Sequence, residues 1–175
     1  MSDKFSNFKK LCVSRIKKNI AVSLKKKCSN PGLYAPMKYV ALSGGKFLRA
    51  LLVYTVGKTL KINLPLLDQP ATAIELIHTY TLIHDDLPSM DNDNLRRGKP
   101  TVHKKFNEFT AILAGNSLLT SAFEILSSKD LEILQKYKNE LIKTLSICSG
   151  HSGLAGGQYF DLSFEKKNNF KKKYY

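Results

Sequence analysis

A chain of 175 residues with 43% apolar content can bury a real core, and its lack of an apolar run of 18 residues argues against a membrane-spanning segment. The opening MSDKFSNFKK has no apolar leader, and three scattered cysteines, Cys12, Cys28 and Cys148, indicate neither a disulfide framework nor a cysteine metal site, so a reduced cytoplasmic chain is expected. The net charge of +14 is uneven, with +13 in residues 1–61, −4 in residues 62–165 and five lysines in the last ten, yet no recognition helix, zinc-ligand pattern or RNA-binding aromatic motif accompanies it.

Taken in chain order, almost every segment carries helical periodicity. Residues 5–24 place Phe8, Leu11, Ile16, Ile20 and Leu24 at mostly three-to-four spacing, with lysines between them. Ser29-Asn30-Pro31-Gly32 interrupts this pattern. A short helix is predicted over Met37–Leu42, stopped by Ser43-Gly44-Gly45. A third helix is expected from Lys46 to about Leu60, with Phe47, Leu48, Leu51, Leu52 and Val56 as its apolar face. The next begins between Pro65 and Ala71 and runs through AIELIHTYTLIHDD until Pro88 disturbs it; the polar loop DNDNLRRGKP follows. Helical patterning resumes in FTAILAGNSLLTSAFEIL and DLEILQKYKNELIKTLSICSG, with a break at Ser127-Ser128. The expectation is an all-α bundle forming one domain part over residues 1–165, with a disordered basic tail at 166–175.

The chemistry concentrates in His84-Asp85-Asp86-Leu87-Pro88-Ser89-Met90-Asp91. Adjacent carboxylates at the end of an apolar helix are costly unless a cation neutralises them, and the helix dipole opposes them there. Magnesium takes such hard oxygen donors; an acidic loop that merely ends the helix is the plainer alternative. On an unbroken helix Asp85 and Asp91 would point about 120° apart, so convergence needs a deviation, and Pro88 supplies a reason for one. Downstream, Arg96, Arg97 and Lys99, with Gly98 as a permissive turn, could grip a diphosphate. His78 lies two turns before Asp85 on nearly the same helix face, with Glu75 three residues earlier. A second cationic element is Gly44-Gly45-Lys46-Phe47-Leu48-Arg49, whose paired glycines free the backbone at a helix start and whose Lys46 and Arg49 would share a face.

The segments ALSGGKFLRALL, ELIHTYTLIHDDLPSMDNDNLRRGKPTVHKKF, AILAGNSLLTSAFEIL and GLAGGQYFDL together resemble the trans-prenyl diphosphate synthase (polyprenyl synthetase) family, most closely its bacterial farnesyl diphosphate synthases. The resemblance implies the N-terminal part of an isoprenoid-synthase bundle that condenses isopentenyl diphosphate with dimethylallyl or geranyl diphosphate, and a homodimer when full length. It assigns Asp85 and Asp91 to Mg2+ with Asp86 organising the cluster, Arg96 to the allylic diphosphate, and Lys46, Arg49, His78 and Arg97 to isopentenyl diphosphate. Gln158, with Asp161, corresponds to a segment near the allylic substrate, and Tyr80 to the residue that limits product length to farnesyl. Phe47 stands where the family commonly has Arg, Ala50 where it often has Pro, and Asn92, Asn94 and Asn116 where Asp is usual. No second aspartate-rich motif is present, so C-terminal truncation is expected. The alternatives are a catalytically incomplete fragment or partner subunit, and a basic helical module binding anionic lipid or nucleic acid.

Overall fold

The computed structural model describes residues 3–27 and 29–172, with side chains described for residues 3–25 and 29–164. Two compact units divide the chain, residues 1–133 and residues 134–175.

The first unit contains α1 (Asp3–Lys27), α2 (Pro31–Ala41), α3 (Leu48–Thr59), α4 (Leu64–Asp85), a two-stranded hairpin of β1 (Leu95–Arg96) and β2 (Lys99–Pro100), the short α5 (Val102–Lys105) and α6 (Glu108–Ser127). α1 buries a strict four-residue stripe, Cys12, Ile16, Ile20 and Leu24. Leu11, expected inside, is 48% exposed because it sits about 100° around the helix from Cys12. α2 begins six residues before the predicted start. The Asn30 side chain accepts from the Gly32 N–H at 2.9 Å and Pro31 occupies the first turn, so the segment read as an interruption is also a helix cap.

α3 corrects a second expectation. Ala50, Leu51, Tyr54 and Gly57 are its buried residues, whereas Leu48, Leu52 and Val56 remain exposed. Smaller side chains face α4, and a polar knot fixes the contact: Arg15 forks onto the Asp68 carboxylate at 2.9 and 2.6 Å, and the Tyr54 hydroxyl donates to it at 2.7 Å. α4 packs most extensively against α6, where Gly115 leaves room for the His84 ring. By length and composition α6 would suffice to cross a membrane; its Ala111, Ala114, Leu118, Ala122, Ile125 and Leu126 are buried, while Phe109, Ile112 and Leu113 stay exposed.

The hairpin itself is not among the sequence expectations, although Gly98 is expected as a permissive turn. Its two central residues, Arg97 (φ 54°) and Gly98 (φ 73°), both take the left-handed backbone that a tight two-residue connection requires.

The second unit contains α7 (Gln135–Ser149) and α8 (Leu154–Lys172). The glycine-containing segment HSGLAGGQYFDL thus leads into a helix. The predicted tail spans 166–175: the α8 backbone continues to Lys172, and residues 173–175 lie outside the described residues.

Candidate functional site

Where α2, α3 and α4 meet the hairpin, a cavity of about 400 Å³ opens, lined among others by Gly44, Lys46, Arg49, Glu75, His78 and Arg97. Four residues assigned from sequence to one substrate therefore share one cavity. Gly44 (φ 105°) and Gly45 (φ 132°) carry the backbone through a region that side chains disfavour. The Arg97 guanidinium lies over this loop and donates to the Gly44 carbonyl; a Cβ on Gly45 would come within 2.5 Å of Arg97 Nη1. Phe47 then adopts φ 47°, and the helix starts only at Leu48. Lys46 accordingly precedes α3 and shares no helix face with Arg49, contrary to expectation. The two meet as neighbours on the cavity wall instead. Phe47, at the position where cationic residues are common in the resembling family, is 8% exposed and contributes packing, not charge.

Two titratable groups share the cavity lining with these cations. Burial pushes the Glu75 carboxyl up, opposed by the Ala50 N–H and by the Arg49 and Arg97 guanidinium groups. His78 is pushed down to about 4, first by burial and then by Arg49, Arg97 and Arg96. It is therefore neutral at pH 7 and offers a hydrogen bond rather than a charge. Because its folded pKa lies below the ordinary histidine value, the folded state binds this proton more weakly than the unfolded chain does. The His78 contribution to stability is thus full above about pH 6.5 and declines as pH falls toward 4. Melting temperatures at pH 7 and pH 5 should show a smaller acid-side loss in His78→Gln than in the parent chain; parallel losses would contradict this account.

The acidic segment leaves α4 as the spacing required. Asp85 is the last residue of α4 and Asp86 caps it; after Leu87 the chain turns, and the Asp91 N–H donates to the Asp85 carbonyl at 2.9 Å. The backbones of Asp85 and Asp91 are thereby brought together, with Asp85 half-buried and Asp91 exposed. Asp86 behaves differently. It is 2% exposed, and its Oδ1 accepts from Arg96 Nε at 2.6 Å. Burial raises its carboxyl, while Arg96 pulls it back. Arg96 also lies 3.8 Å from Asp93, so in this arrangement it holds the acidic turn to the hairpin. Among the described residues no group of three or more His, Cys, Asp or Glu side chains is gathered around a metal position. Asp85 and Asp91 nevertheless offer donor chemistry that fits magnesium, which needs only one or two carboxylates when substrate phosphates and waters complete its shell.

Tyr80, one turn before His84, meets that ring edge-on at 4.9 Å. His84 Nε2 reaches the Ile112 carbonyl at 3.2 Å, and a Cβ on Gly115 would collide with the same ring. The sequence places His84 in the acidic segment without a role of its own, and gives Gly115 none either. A glycine inside an otherwise apolar helix was the available signal. Gln158 is half-buried and Asp161 exposed; they lie three residues apart on α8, within the second unit.

Comparison with known proteins accords with this geometry. The polyprenyl synthetase family model matches residues 30–175. A farnesyl diphosphate synthase from Escherichia coli is 49% identical over 140 residues, covering 79% of this chain and 47% of that protein. One from Bacillus subtilis is 40% identical over 172 residues, covering 95% and 57%. The solved structure of an FPP/GFPP synthase from Zymomonas mobilis superimposes with a TM-score of 0.84 at 40% identity, over 91% of this chain and 59% of that one. The chain thus spans about half the length of the curated relatives it matches. A family model spanning residues 30–175 and relatives 40–49% identical over most of the chain show that it belongs to the polyprenyl synthetase family.

Proposed function

We propose that this chain supplies the diphosphate-binding wall of a magnesium-dependent prenyltransferase that condenses dimethylallyl or geranyl diphosphate with isopentenyl diphosphate, giving farnesyl diphosphate and free diphosphate. The observation that carries this reading is the cavity shared by Lys46, Arg49, His78 and Arg97. Three basic side chains beside a neutral imidazole suit a phosphate-bearing ligand, and Arg49 and Arg97 can fork onto its oxygens. Asp85 and Asp91 would hold magnesium, which when bound supplies positive charge to the departing diphosphate. Asp86 keeps Arg96 in place at the edge of that turn. Arg96 would meet the allylic diphosphate, and Gln158 on α8 would approach the same substrate. Apolar helix faces exclude water that would capture the allylic cation. Tyr80, backed by His84, would close the deep end of the chain-binding space at farnesyl length. The full-length enzyme would act as a cytoplasmic homodimer.

Calorimetric titration tests the assignment directly. Lys46→Ala and Arg49→Ala should each weaken isopentenyl diphosphate binding by about tenfold, the loss expected for one charge-assisted hydrogen bond, while geranyl diphosphate binding changes little. Equal weakening for both ligands would overturn the assignment of this cavity.

A further inference from the structure

The start of α3 lacks a local cap. Phe47 occupies the N-cap position in a left-handed conformation and its side chain makes no capping hydrogen bond. The first backbone N–H groups of a helix have no partner within it, and leaving them unsatisfied in a buried place is costly. Here the partner comes from another helix. Glu75 on α4 is 4% exposed, and its Oε1 accepts from the Ala50 N–H at 2.9 Å. The Arg49 N–H acts on the same carboxylate. A carboxylate at a helix N-terminus is also favoured by the dipole.

This placement is otherwise hard to reconcile with the cavity. Glu75 puts negative charge into a wall that would receive a phosphate anion, so as a bare charge it opposes the ligand. Its compensating action is mechanical. Arg49 lies one residue before Ala50, and Lys46 and the left-handed Phe47 come immediately before α3. Fixing the first turn of that helix therefore fixes the direction in which both cations leave the backbone.

We propose that Glu75 is a positioning residue for the diphosphate cavity, acting through the backbone N–H groups that open α3 rather than through contact with the ligand. This rests on the reading of the cavity as a diphosphate site. The probe is inorganic diphosphate, titrated into the purified 175-residue chain and its variants, with amide hydrogen exchange at Ala50 followed in parallel. Glu75→Ala removes the acceptor and should speed Ala50 exchange and weaken diphosphate binding by about tenfold. Glu75→Gln keeps an oxygen acceptor and removes the charge; it should keep Ala50 protected and restore most of the lost affinity. Tyr54→Phe loosens the Asp68 knot elsewhere on α3 and should leave diphosphate affinity unaltered, which separates positioning from general destabilisation.

If the parent chain fails to bind diphosphate, the cavity reading fails, and the inference built on it fails with it. If the parent binds and Glu75→Ala binds as well or better, Glu75 acts only as an opposing charge and the inference is overturned. Ala50 exchange that ignores Glu75→Ala would overturn it as well, whatever the affinities.

Discussion

Arg96→Ala should destabilise the first unit by about 3 kcal/mol at pH 7, the lower end of the cost of stripping a buried charge of its partner, because Arg96 keeps part of its side chain in water. The Asp86 carboxylate it leaves behind is 2% exposed. Burial already holds the Asp86 carboxyl above its ordinary value despite Arg96, and removing Arg96 raises it further. A raised folded pKa means that the folded state holds the proton more tightly than the unfolded chain does. Stability from this group is therefore complete below about pH 4 and is lost as pH climbs through the folded value. The deficit of Arg96→Ala relative to the parent should be smallest near pH 4 and grow toward pH 7 in urea unfolding. Adding Asp86→Asn should recover part of the pH 7 deficit. A deficit that stays constant with pH would mean that Arg96 contributes packing rather than charge neutralisation.

Gly115→Val is expected to cost about 3 kcal/mol, from overpacking where Gly115 on α6 meets the His84 ring on α4. The His84 ring cannot simply swing aside. Its Nε2 is tied to the Ile112 carbonyl at 3.2 Å, and Tyr80 abuts it at 4.9 Å. Moving the ring breaks the first contact and shifts the second. Gly115→Ala is a finer probe, since alanine alone favours a helix interior by about 1 kcal/mol over glycine. With His84 present the clash should override that gain. In a His84→Ala background, Gly115→Ala should become stabilising, and thermal unfolding of the four combinations reads the coupling. Additive effects would show that His84 and Gly115 do not compete for the same space.

The helices were legible because four-residue apolar spacing survives translation into burial, as Ile16, Ile20 and Leu24 demonstrate. Which apolar residues turn inward was less legible. Leu48, Leu52 and Val56 looked like core and stay exposed, because small or polar-tipped residues such as Ala50 and Tyr54 face α4. Periodicity assigns a face but does not say which of two faces finds a partner. The cationic cavity was visible as residue types, since glycines with nearby Lys and Arg are a local signal. Its geometry was not, because the left-handed Phe47 delays the helix by two residues and breaks the assumed alignment of Lys46 with Arg49. Ion pairs across long separations, such as Arg15 with Asp68, leave no trace in a linear pattern; they exist only once α1 and α4 are side by side.

Position 50 and position 75 are also tied in the order in which they can change. A proline at 50, common in the resembling family, would present no N–H and would hold its own φ, so that bond would place no demand on residue 75. Alanine at 50 releases that torsion and adds a buried donor, which the Glu75 oxygen receives at 2.9 Å. A lineage can therefore move from proline to alanine while glutamate stands at 75. Once alanine is fixed, loss of the acceptor at 75 leaves a buried donor stranded. The donor at Ala50 thus adds to the demand that the Arg49 N–H already places on the Glu75 carboxylate.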